Sequence, residues 1–359
     1  MAEISLSTQT MFADLAQRCL DAEFDENYDE RGYFVRRRKK KYLYWYYQRR
    51  NGTGHYEEYV GPVRDQSISD RVNRFDRIKS NFKERREIVR ALSSVSLPTP
   101  DTTTGNVVEA MWKAGFFRLR GVLIGSAAYQ CYAGVLGVRL PSTTLITQDV
   151  DFAQFWGISQ EVGESMPPII DALKKIDPSF REVPDVFDPL VTTKFVNDKG
   201  YFVEFLTPNR GSDEHQRAPA RMPSLGGVSA QPLRHLDYLI YQPERSVLLF
   251  KAGVPVTIPR AERYAVHKLI LASERRDQFK SAKDILQADN LIKALAAKRP
   301  LELGEAWNEA WDMGPRWREK LLRGRERLTA ESKGLLQEAE TNAKEAFGAP
   351  KRRRRGGET

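Results

Sequence analysis

The chain is poor in the residues that build disulfide frameworks and metal fingers. Its 359 residues include two cysteines, Cys19 and Cys131, and no CxxC. Such usage argues against a disulfide scaffold and a cysteine zinc site, and fits a reduced, cytoplasmic protein. Histidine is nearly as scarce, with four residues. His55, His215 and His235 are too scattered to suggest a metal site, and His267 reads as a packed histidine. No apolar run approaches the roughly 20 residues that cross a bilayer, so no membrane partner is expected. The first ten residues lack the basic-then-apolar order of a signal peptide, and none is expected. No internal repeat is visible.

Apolar residues make up 41% of the chain, enough to bury real cores, and the length suits two or three structural units. The net charge of +9 is unevenly placed. Residues 21–30 hold six acids and no base, whereas residues 31–50 hold nine Lys or Arg and no acid. A second basic run, Lys351-Arg-Arg-Arg-Arg355, lies near the C-terminus. Such runs suit a phosphate-bearing partner. The alternatives are a solvated face for the first run and, for the second, a disordered tail or a chance likeness to a nuclear import signal.

Periodicity divides the chain into four expected segments. Residues 1–98 read as a short helix, an acidic loop, strand-like stretches at 32–36 and 41–48, a return strand over 55–61, and a helix from Ser67 to about Val95. Asn51-Gly-Thr-Gly54 supplies the turn of a basic, aromatic hairpin. Pro98-Thr-Pro100 marks a boundary. Residues 99–260 read as helices at 105–117, 127–137 and 161–176 and strands at 121–125, 145–153, 190–196 and 201–207. A Gly/Pro/Ser loop over 208–232, a short helix at 233–241 and a hairpin at 247–258 complete this segment. Residues 261–345 are expected to be helical, and 346–359 to form a disordered tail. The pattern predicts an α+β fold, a mixed sheet with flanking helices.

A single constellation, within residues 99–260, points to chemistry. Gly121-Val-Leu-Ile-Gly-Ser126 reads as a buried strand ending in a tight turn before a helix. Thr147-Gln-Asp-Val-Asp-Phe152 reads as a strand with carboxylates at i and i+2, which point to one face. Asp149 and Asp151 are therefore expected to converge. Glu204 sits in the apolar strand Tyr201-Phe-Val-Glu-Phe-Leu206, where a lone carboxylate is costly to bury uncompensated. A metal shared by Asp149, Asp151 and Glu204 would compensate it, and Mg²⁺ or Mn²⁺ suits carboxylates plus phosphate oxygens. Gly125 would let the backbone approach a phosphate, and Ser126 would donate to it at a helix N-terminus.

Strand, Gly-Ser, helix, Asp-x-Asp strand and a later acidic strand together resemble the DNA polymerase β-like nucleotidyltransferase superfamily. Its motif positions fall on Gly125, Ser126, Asp149, Asp151 and Glu204. The 22 residues between Ser126 and Asp149 exceed the spacing of compact members. The loop around Arg139-Leu-Pro-Ser-Thr-Thr144 resembles subfamilies near the abortive-infection toxin nucleotidyltransferases. Glu204 replaces the more usual third Asp. Residues 259–270, with Arg275, Arg276 and Lys283-Asp284, look very similar to an uncharacterised bacterial nucleotidyltransferase-fold family, and the likeness covers most of residues 30–300. It implies that Lys268 contacts nucleotide phosphates, with Arg275 seven residues on and on the same helix face.

The resemblance implies a metal-dependent enzyme that moves NMP from an NTP, such as ATP, to a hydroxyl of RNA or protein and releases pyrophosphate. Asp149 and Asp151 would be metal ligands, Glu204 the third ligand and base, and Gly125, Ser126, Lys268 and Arg275 the nucleotide site. Arg36, Arg37, Arg38, Lys39, Lys40 and Lys41, beside a tyrosine-rich strand, are the expected nucleic-acid contacts. A toxin role follows from resemblance alone, and no residue identifies an antitoxin partner. Each reading has a plainer rival. Asp149 and Asp151 would be exposed strand-end acids, Glu204 the partner of a Lys or Arg, and Lys268 a surface lysine. Arg275 and Lys283 would pair with Glu274 or Asp284, and the tyrosines would simply pack. The rival class is an inactive, nucleic-acid-binding or interaction protein that keeps the fold.

Overall fold

The computed structural model describes residues 2–20, 28, 32–39, 41–51, 54–141, 148–161, 165–185, 188–209 and 218–347. The acidic run other than Tyr28, Lys40, His215, the segment 142–147 and the tail from 348 onward lie outside the described residues.

Helix α1 (Leu6–Leu20) buries Phe12, Leu15 and Cys19. The aromatic stretches form a three-stranded antiparallel sheet, β1 (Tyr33–Lys39), β2 (Tyr42–Asn51) and β3 (Gly54–Pro62). The strand-like stretch expected at 32–36 joins the expected hairpin as β1, with Arg36 opposite Trp45 and Tyr46 opposite Tyr59. One sheet face packs on α2 (Gln66–Ser94). Phe34 and Phe75 meet edge to face at 5.0 Å, and Trp45 Nε1 donates to Ser69 Oγ at 3.2 Å. Asp65 caps α2 by accepting from the Ser67 and Ile68 amides.

Helix α3 (Thr102–Lys113), capped by Asp101, leads into the second sheet. Strands β4 (Val122–Ile124) and β5 (Asp149–Ala153) are antiparallel, and α4 (Gly125–Leu136) connects them. Strand β8 (Phe202–Pro208) lies parallel to β5 along one edge. Its other edge is shared by β7 (Thr192–Val196), antiparallel, and β10 (Ser229–Leu233), parallel. Strands β6 (Arg181–Pro184) and β9 (Ala220–Arg221) extend the sheet. The result is an α+β architecture with a mixed sheet.

Two expectations need correction. The helix expected over 161–176 is divided into α5 (Trp156–Glu161) and α6 (Ile169–Ile176). Pro167 and Pro168 precede the second, where Pro disfavours helix in the residue before it. The expected loop over 208–232 contains β9, β10 and a 3₁₀ turn at Pro223–Leu225. Periodicity could not reveal β10, because Ser229-Ala-Gln-Pro-Leu233 lacks apolar alternation and contains a proline.

Helix α7 (Leu236–Leu239) and the hairpin β11 (Glu244–Leu248)–β12 (Val254–Ile258) lead to α8 (Ala261–Glu274), α9 (Gln278–Lys298), α10 (Pro300–Asp312), α11 (Pro315–Glu326) and α12 (Ala330–Phe347). One core runs from the sheet into these helices, through Phe152 and Phe205 to Tyr264, Leu291 and Trp307. The helices therefore close over the sheet and share its interior. Among the described residues no helix is long and apolar enough to cross a membrane.

Candidate active site

The period of two along β5 separates core from chemistry. Val150 and Phe152 are buried, while Asp149 and Asp151 are half-buried on the opposite face. β8 repeats the pattern: Val203 and Phe205 are buried, and Glu204 is half-buried. Phe152 and Phe205 stack at 5.5 Å beneath the acids. Burying one such ring contributes on the order of 1.5–3 kcal/mol, which fixes the face each strand presents. Asp151 lies directly opposite Glu204, so all three carboxylates occupy one face. Burial pushes the Asp151 carboxyl up to about 7, and the neighbouring Asp149 and Glu204 add to it. Lys268 and Arg275 act in the opposite sense.

These three acids nevertheless do not form a three-carboxylate cluster. Glu204 Oε1 accepts from Lys194 Nζ at 2.8 Å, across the β7–β8 pair. Among the described residues no group of three His, Cys, Asp or Glu side chains is disposed to hold a metal. Asp149 and Glu204 are the carboxylates that crowd Asp151. Glu204 is engaged by Lys194, as the plainer reading of that residue has it.

Gly125 opens α4 with φ +68°, in the left-handed region that favours glycine. A Cβ there would lie 2.6 Å from Asp151 Oδ2. The glycine thus makes room for the Asp151 carboxylate, a reason the sequence did not disclose. Its carbonyl accepts from the Tyr264 hydroxyl at 2.9 Å, which ties α8 to the turn. Half-buried Ser126 follows, and among the described residues no side chain caps the start of this helix. A helix N-terminus with uncapped amides favours an anion.

The helical cations are organised by one acid. Buried Asp284 on α9 lies 2.6 Å from Lys268 Nζ through Oδ1 and 2.5 Å from Arg275 Nε through Oδ2. Lys268 is buried on α8 and also lies over the Tyr264 ring at 5.1 Å. Arg275 is the extended C-cap residue after α8, so the helix-face argument linking it to Lys268 does not hold. Asp284 brings the two together instead. Lys283 is half-buried nearby; burial and Lys268 lower its pKa, while Asp149 and Asp284 raise it.

Lys194, Tyr264 and the positioning role of Asp284 escaped the sequence reading. Asp284 had a signal in the Lys-Asp pair; Lys194 had none, because the observed hairpin register differs by one residue from the one the expected turn sets.

The described basic N-terminal positions lie elsewhere, on the three-stranded sheet and its β1–β2 turn. Arg36, Arg37, Arg38, Lys39 and Lys41 are exposed, and Lys40 is outside the described residues. Alternation divides them. Arg36 shares a face with Trp45, lying 4.7 Å over its ring, whereas Arg37 and Lys39 pair with Tyr44 and Tyr42.

A mixed sheet with paired carboxylates beside a Gly-Ser helix start defines an α+β protein of the nucleotidyltransferase type. Residues 102–312 match the family model described as nucleotidyltransferase. That is more than half of the chain, and the chain belongs to this family. The match runs from α3 through the sheet into α10. No curated protein matches the chain. It is similar to the solved structure of an antigenic nucleotidyltransferase-like protein from Paracoccidioides brasiliensis. The identity is 15%, over 63% of this chain and 95% of that one, with a TM-score of 0.31.

Proposed function

We propose that the protein transfers a nucleoside monophosphate from an NTP to an acceptor hydroxyl of RNA or protein, with release of pyrophosphate. The reading rests on one convergence: Asp151 lies against Gly125 at the start of α4, Asp149 shares its strand face, and the charges of Lys268 and Arg275 reach Asp151. It also draws on the resemblance to polymerase β-like enzymes. Asp149 and Asp151 would hold Mg²⁺ or Mn²⁺. Such an ion would supply positive charge to the triphosphate and to the attacking oxygen.

This chain's own residues do the rest. The amides of Gly125 and Ser126 and the Ser126 hydroxyl bind phosphate oxygens at the α4 N-terminus. Asp284 holds Lys268 and Arg275 ready to meet the triphosphate. The acceptor oxygen bonds to the α-phosphorus as the bond from that phosphorus to the β-phosphate oxygen breaks. Glu204, fixed by Lys194, takes the acceptor's proton. A second reading, an inactive member that binds nucleotide or nucleic acid, is favoured by that same Lys194–Glu204 pair, because it removes one acid from the metal set.

The test is incubation with each α-phosphate-labelled NTP, Mg²⁺ or Mn²⁺, and total RNA or total protein. Label should enter one fraction, and Asp151→Asn should abolish it. Equal labelling by Asp151→Asn would remove this site from the reaction. No label under any condition would favour the inactive reading.

A further inference from the structure

The outer face of the β1–β3 sheet has a composition that packing does not explain. The inner face carries Phe34, Trp45 and Tyr47 and lies against α2, with Trp45 and Tyr47 buried. Strand alternation puts Tyr42, Tyr44 and Tyr46 on the opposite face, with Tyr59 of β3 beside Tyr46. An antiparallel sheet with one solvated face normally carries polar residues there. This one carries four tyrosines. Tyr42 and Tyr59 are each 53% exposed. Tyr59 lies 5.8 Å from Tyr44 and 5.5 Å from Tyr46, so three rings form a continuous patch.

Cations are threaded through these rings. Lys39 Nζ lies 5.2 Å over Tyr46, and Arg64 lies 5.2 Å over Tyr42. Arg37 shares the face, opposite Tyr44. Glu57 is its acid among the described residues, 3.5 Å from Arg37 and accepting from Gln48. Solvent-facing rings on one sheet face, interleaved with Lys and Arg, are what unstacked bases and their phosphates require. Duplexes hide the faces of their bases and do not meet that requirement.

We propose that this outer face binds single-stranded nucleic acid, with bases stacked on Tyr42, Tyr44, Tyr46 and Tyr59 and phosphates met by Arg37, Lys39 and Arg64. The assignment divides the basic run by face. Arg36 and Arg38 point away from the tyrosines and contribute only long-range charge. As an identification of the acceptor as RNA, the proposal rests on the transfer reading above. The binding itself does not, because it needs neither NTP nor metal.

The experiment measures affinity of the full-length protein, without NTP or metal, for fluorescent U12 RNA, dT12 DNA and a 12-base-pair RNA duplex across a salt titration. U12 should bind more tightly than the duplex. The Tyr44→Ser/Tyr46→Ser/Tyr59→Ser variant should weaken U12 binding by about tenfold or more. The corresponding triple Tyr→Phe variant should retain it. Arg37→Ser/Lys39→Ser should flatten the slope of log affinity against log salt by roughly 1.4, about 0.7 per lost phosphate contact. Arg36→Ser/Arg38→Ser should change it less. If the triple Ser variant does not fold, the two charge variants carry the comparison of faces. Preference of U12 over dT12 identifies RNA; equal binding leaves single-stranded nucleic acid as the class. Failure of the parent to bind U12, duplex binding as tight as U12, or equal effects of the two charge variants would overturn the proposal. Loss of NMP transfer with U12 binding intact would instead sink the transfer reading alone.

Discussion

Gly125 and Asp151 constrain each other. The glycine's φ of +68° and the 2.6 Å from its would-be Cβ to Asp151 Oδ2 leave no room for a side chain. Gly125→Ala should lower stability by roughly 1–3 kcal/mol, measured by urea denaturation, and reduce transfer by displacing the carboxylate. An unchanged midpoint and full transfer would contradict this geometry. Asp284 acts through others. Asp284→Asn should raise the KM for NTP more than it lowers kcat, because Lys268 and Arg275 lose their shared anchor. A kcat loss with unchanged KM would argue for a different role. Asp149 and Asp151 were legible because i and i+2 in a strand share a face. Lys194 was not. The expected turn, 197–200, would place Val196 opposite Tyr201. Instead Tyr201 joins the loop, where its amide donates to Asn197 Oδ1 at 2.9 Å, and Val196 meets Phe202. That shift of one residue brings Lys194 opposite Glu204 and onto its face.

At the scale of elements, β5 and β8 concentrate negative charge on one sheet face. In the metal-free protein the Asp151 carboxyl is pushed up to about 7 from an ordinary 3.8, by burial first and then by Asp149 and Glu204. Folding therefore favours the protonated form. The stability this group contributes is intact below about pH 4 and is lost as pH rises towards 7. Asp151→Asn should remove that fall, so the variant should be the more stable one at pH 8, by roughly 1–3 kcal/mol. Thermal melts of both proteins at pH 4.5 and 8, without divalent cation, check it. A variant less stable at pH 8 than at pH 4.5 by the same margin as the parent would contradict it. The long helices and the β8 hairpin were legible from period and turn chemistry. The break before α6 is written in the Pro167-Pro168 pair, which overrides the helical period there, whereas β10 was not legible, because Ser229-Ala-Gln-Pro-Leu233 has no alternation to reveal it.

Over the whole molecule, a second apolar cluster ties the N-terminal helices to the β11–β12 hairpin through Phe12, Leu15, Leu92 and Val247. The basic aromatic sheet is thus carried by elements anchored to the family's fold. Charge asymmetry was visible in the sequence, but the faces on which those charges fall became clear only once β1 had paired with β2. In the proposed reaction Asp149 and Asp151 form a divalent-cation site for a bound NTP. The most direct measurement is Mn²⁺ binding, followed by electron paramagnetic resonance, with a non-hydrolysable NTP analogue present. Bound Mn²⁺ should be seen with the parent and retained in Glu204→Gln, whose carboxylate is engaged by Lys194. It should be lost in Asp149→Asn and Asp151→Asn. Equal Mn²⁺ binding by the parent and the two Asp variants would contradict the account.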